Sequence, residues 1–110
     1  MTVLIFLALA VLSARLPAFA ASCTFELDVD AAVPRRAPVF MVQQGDEVAL
    51  CVESKSALDV HLHGYDVAAN VSKMEPATMR FVARASGRFP IEIHSKDGRR
   101  VVGYIEVRPR

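Results

Sequence analysis

Between Cys23 and Val107 the apolar residues recur at every second position in short runs, and a turn signal interrupts them about every ten residues. A strand sends alternate side chains to opposite faces, so each such run can bury one face; a helix needs a period near 3.6, and no segment sustains one. Phe25, Leu27 and Val29 share a face of the first run, and Val39 to Val42 form a short second one. Gln43-Gln44-Gly45-Asp46 is a turn, followed by a strand over Glu47 to Glu53 with Val48, Leu50 and Val52 inward and Cys51 on the opposite face. Leu58 to Tyr65 reads as extended and 66–76 mostly as loop. Ala77 to Ala83 points Met79 and Phe81 inward, and Met41 is also assigned to the core. Phe89, Ile91 and Ile93 face the core of the next strand. A hairpin connection over 95–100, around Asp97-Gly98, leads to a closing strand from Val101 to Val107. About seven strands in about 85 residues predict an all-β fold, an antiparallel Greek-key β-sandwich.

The chain of 110 residues has room for one domain. Its first part reads as a leader. Val3 to Leu12 is an unbroken apolar run of ten residues, too short for a spanning helix, which needs roughly 20. Arg15 and Pro17 end it, and Ala18-Phe19-Ala20 fits the small-x-small cleavage rule, so residues 1–20 are assigned to a signal peptide and 21–110 to the exported domain. No Lys or Arg precedes the run. Export to the periplasm or beyond places Cys23 and Cys51 where disulfides form, and two fates are open: a Cys23–Cys51 bridge, or lipidation of Cys23. With Arg15 in the leader, twelve basic side chains face twelve acidic ones in the remainder. That balance, with no basic stripe, argues against a nucleic-acid partner.

Several motifs then fall in a particular order. Gln44-Gly45-Asp46-Glu47-Val48 opens a strand; His61-Leu62-His63-Gly64-Tyr65-Asp66 follows, then Glu75-Pro76-Ala77-Thr78 with Phe81, then Gly87-Arg88-Phe89-Pro90-Ile91-Glu92-Ile93-His94, then Gly103-Tyr104-Ile105-Glu106-Val107. The series resembles the cupredoxins, the plastocyanin-like copper proteins, and in particular their small periplasmic domains. The resemblance implies a metal site at one end of the sandwich, with an early histidine, then a cysteine, a second histidine and an axial methionine before the last strand. The early position falls on the His61/His63 pair. The three later positions fall on Ile93, near Lys96 and near Val101, so the thiolate, one histidine and the methionine are missing. A blue site requires a His₂Cys set, hence no blue centre is expected.

All three histidines of the chain nevertheless fall at these places. His61 and His63, two apart on an extended segment, point to one side with backbones about 7 Å apart. His94 lies one residue past the missing cysteine. Three imidazoles suit Cu(II) or Zn(II), with copper favoured by the resemblance, and imidazole must be neutral to bind. Asp66, Glu92 and Met74 are candidates for a further ligand. Tyr65 is assigned to packing, and Gly64 and Gly87 to bends.

His61-x-His63 with Gly64 and Asp66 also resembles a short stretch of the copper–zinc superoxide dismutases, whose copper alone takes more histidines than this chain contains. No nucleophile with a base beside it, acid–base carboxylate pair or glycine-rich phosphate loop is visible, so an enzyme acting alone is not expected. The expected function is copper binding through His61, His63 and His94, for copper handling or as a non-blue redox accessory. Its implied partner is a copper-handling or redox protein of the cell envelope. The alternative is a metal-free sandwich serving as an interaction or structural module.

Overall fold

The computed structural model describes residues 22–31 and 36–110, and every regular element among them is a strand. The assigned leader and its cleavage point lie outside the described residues. The strands are β1 (Phe25–Asp28), β2 (Val39–Gln43), β3 (Glu47–Glu53), β4 (Leu58–Leu62), β5 (Val67–Val71), β6 (Ala77–Val82), β7 (Gly87–Ser95) and β8 (Gly98–Arg108). They form a three-stranded sheet in the order β1-β3-β6 and a five-stranded sheet in the order β2-β8-β7-β4-β5. The first four strands alternate between the sheets, so β1 meets β3, and β2 meets β8, in parallel; the other pairs are antiparallel. Passing through the opposite sheet supplies the crossover that a parallel pair needs.

The inward faces are the predicted ones. Leu50 pairs with Met79 across β3 and β6, and Val60 with Ile93 across β4 and β7; all four are buried. Ile91 and Ile105 are fully buried beside them. Each such aliphatic side chain contributes about 1.5–3 kcal/mol by leaving water.

Four elements differ from the sequence reading. β4 ends at Leu62 rather than Tyr65, because residues 63–66 form a turn with Gly64 and Asp66 at positive φ. β5 occupies a stretch read as loop. Its Ala68, Ala69 and Asn70 are weak strand formers, but β5 is an edge strand that needs only Val71 buried and one partner, β4. β8 begins at Gly98 rather than Val101, because the β7–β8 connection is a two-residue turn, Lys96-Asp97, with Gly98 at φ +109°. Met41 is 49% exposed and not in the core. β2 is an edge strand whose inward positions are Phe40 and Val42, so Met41 faces solvent with its Sδ 3.8 Å from the Arg108 guanidinium.

Cys23 and Cys51 are joined in a disulfide with Cα atoms 5.6 Å apart, which decides between the two fates left open and leaves no thiol on Cys23 to carry a lipid. It ties the edge strand β1 to β3. Tyr65 packs as expected, its ring 5.0 Å from Phe81 and 4.8 Å from Phe89. Its hydroxyl donates to the Ala85 carbonyl at 2.6 Å and accepts from the Ala85 N–H at 3.1 Å. Gly64 makes this packing possible: at φ +88° it turns the chain out of β4, and a Cβ there would collide with the Phe89 ring.

Candidate metal site

The register between β4 and β7 assembles the site. His61 stands opposite Glu92, and Asp59 opposite His94. Since Val60, Leu62, Ile91 and Ile93 point into the core, alternation puts His61, Glu92 and His94 on the outer face of the five-stranded sheet. His63 extends this row: its N–H donates to the Pro90 carbonyl at 3.1 Å, continuing the ladder past the end of β4. All three histidines therefore lie on one outer face, where sequence alone had placed them at an end of the sandwich.

Glu92 is the hub. Its Oε1 accepts a hydrogen bond from His94 Nε2 at 2.6 Å, and its Oε2 lies 3.6 Å from His63 Nε2. The side chains of His94 and Glu92 are 26% and 21% exposed, against 50% for His63, so the tight pair is also the more sheltered one. The His94 hydrogen bond holds the Glu92 carboxyl below the ordinary 4.5; partial burial opposes this, and the charges of His63, His94 and Arg99 assist it. Arg99 is present because β8 starts early, which pairs it with His94. The ladder slips by one residue on β8 between Ile91 and Glu92, so that Val101 faces Glu92 and Gly103 faces Ile91. Such a bulge re-aims the side chains beside it.

The His61 and His94 rings stack at a centroid distance of 4.3 Å and 19° between planes. The lone pairs of stacked rings lie in nearly parallel planes and do not meet at one point. Accordingly, among the described residues no three His, Cys, Asp or Glu side chains stand in an arrangement already poised around an ion. Of the further candidates, Glu92 joins the cluster. Asp66, at φ 53°, borders with His61 and His63 a surface cleft of about 380 Å³. Met74 is 86% exposed in the β5–β6 connection, past the Val71–Leu58 end of the edge strand.

A blue copper centre does not fit these residues. Ile93, at the thiolate position, is 3% exposed in the core, Lys96 lies in the β7–β8 turn and Val101 lies in the ladder. Both cysteines are consumed in the disulfide. Imidazole and carboxylate groups remain, a donor set suited to Cu(II) or Zn(II).

No protein-family model and no curated protein sequence matches the chain. Solved structures do. A chain of a heme–copper terminal oxidase dimer superposes with a TM-score of 0.54 at 21% identity, over 64% of this chain and 50% of its own length. The blue copper oxidase of Nitrosomonas europaea gives 0.56 at 13%, over 66% and 31%. The multicopper oxidase mgLAC gives 0.54 at 20%, over 66% and 29%. The chain thus spans half or less of the length of these proteins. What it shares with them is the sandwich.

Proposed function

Starting from a cupredoxin-like fold, we propose that this domain binds a copper ion at the cluster of His61, His63 and His94. The role is copper handling, or non-blue redox support of a copper-handling or redox protein of the cell envelope. The observation that carries this reading is the gathering of every histidine of the chain around Glu92 on one sheet face. Export is part of the proposal. It rests on the apolar leader and agrees with a disulfide that persists in oxidising compartments. No helix among the described residues is long and apolar enough to cross a membrane.

Uptake of an ion requires the His61 ring to turn off the stack, an adjustment open to a partly exposed side chain, while His94 keeps its bond to Glu92. Copper bound here supplies a Lewis acid or a one-electron couple. The chain's own contribution is to hold the imidazoles on a rigid sheet, with Glu92 between His63 and His94.

The second reading, a metal-free module, is favoured by the closed network itself, in which stacking and the Glu92 bond hold the rings without an ion. Titration with Cu(II) against a competing chelator separates the two. A one-to-one complex lost in the His61→Ala, His63→Ala double variant supports copper binding. No complex, or one indifferent to that variant, supports the metal-free module.

A further inference from the structure

Within the proposed site the three histidines are not equivalent. We infer that Glu92 is the positioning residue of the site: its carboxylate locks His94 as the Nε2–H tautomer and so leaves Nδ1 as the atom offered to a divalent ion, while in the metal-free protein the His61 ring stacks on the His94 ring. This rests on the metal-binding reading and assigns roles within it.

An ionised carboxylate only accepts hydrogen bonds, so a 2.6 Å contact between Glu92 Oε1 and His94 Nε2 places the proton on Nε2. A glutamate carboxyl is ionised near neutral pH, so Glu92 is the acceptor in this pair. In neutral imidazole the other nitrogen then carries the lone pair, and Nδ1 becomes the donor to a metal. A ligating histidine whose second nitrogen is bonded to a carboxylate is a more basic and better oriented ligand. In the metal-free protein the 4.3 Å stack with His61 further restricts rotation of the ring about its bond. The His63 contact to the same carboxylate, at 3.6 Å, is too long for a hydrogen bond, so His63 keeps a choice of tautomer that His94 has lost. Both outer oxygens of Glu92 thus face imidazoles, and only one ring is locked.

Nitrogen-detected histidine NMR on the ¹⁵N-labelled protein tests this directly. In the metal-free wild type, His94 shows a protonated Nε2 and an unprotonated Nδ1, and Glu92→Leu returns it to a mixture of tautomers. Zn(II), used as a diamagnetic probe, shifts His94 Nδ1 and leaves the Nε2 proton in place. Affinity for Cu(II) falls about 10–100-fold in Glu92→Leu and recovers in part in Glu92→Gln, which keeps an oxygen acceptor. A His94 that is Nδ1-protonated, or that carries zinc on Nε2 with the Glu92 bond broken, overturns the assignment of roles while copper binding stands. Absence of any histidine shift with zinc and with copper overturns the metal reading and this one together. The tautomer of the metal-free wild type needs no variant, so a failure of Glu92→Leu to fold does not rescue the inference.

Discussion

Replacing both cysteines by alanine should cost this small domain a large part of its stability and leave the histidine cluster intact. The bridge closes a separation of 28 residues between Cys23 and Cys51. Loop-closure entropy of that span, released into the unfolded chain when the link is removed, amounts to about 3.5 kcal/mol at 25 °C. The native side offers little to offset it. β1 is a four-residue edge strand with β3 as its one ladder partner, supported by the Thr24 N–H to Ala49 carbonyl bond at 2.8 Å and the Ala49 N–H to Thr24 hydroxyl bond at 2.9 Å. At roughly 4–8 °C per kcal/mol for a domain of this size, the melting temperature should drop by about 14–28 °C. Urea titration followed by circular dichroism measures the difference. His61, Glu92 and His94 stand in the other sheet, so metal affinity well below the transition should match the wild type. A loss under about 1 kcal/mol would refute the entropic argument, and a loss of metal binding in the folded double variant would show the two sheets to be coupled.

Other expectations follow from single contacts. Gly64→Ala combines a left-handed backbone with a clash against Phe89, and should destabilise by about 2–4 kcal/mol in the same urea assay, with the Tyr65 near-ultraviolet signal altered. Because the Glu92 carboxyl is held below 4.5 in the folded protein, its stabilising contribution is fully present above pH 4.5 and is lost as pH falls through the lower native value. Stability measured from pH 6 to pH 2 should therefore fall less steeply in Glu92→Gln than in the wild type; parallel curves would contradict the shift. The copper complex should lack the intense visible absorption of copper–thiolate charge transfer, since no thiolate is free, and its appearance would place a reduced cysteine at the metal. Met79→Ala empties a core position that is 1% exposed and should cost about 2–5 kcal/mol. Met74→Ala, in solvent, should stay within about 0.5 kcal/mol.

Much of the architecture is written in local pattern. Period-two runs such as Val48-Leu50-Val52 and Phe89-Ile91-Ile93 announce strands and their buried faces, because a pleated backbone exposes and hides side chains in strict alternation. Edge strands are harder to read. β5 looks like loop, and Met41 looks like core, because one unpaired side relaxes the demand for strand-forming and for inward residues alike.

The order of motifs along the chain and the spacing of His61 and His63 are properties of a linear string, and from them came the sandwich, the shared face of that pair and the lack of a thiolate in the last loop. Register is not such a property. That Glu92 sits opposite His61, that His94 stacks on His61, that Arg99 pairs with His94 and that Cys23 reaches Cys51 all depend on how strands distant in sequence slide against one another. A slip of one residue would turn the whole row to the other face, and it is the packing of Val60, Leu62, Ile91 and Ile93 in the core that forbids it.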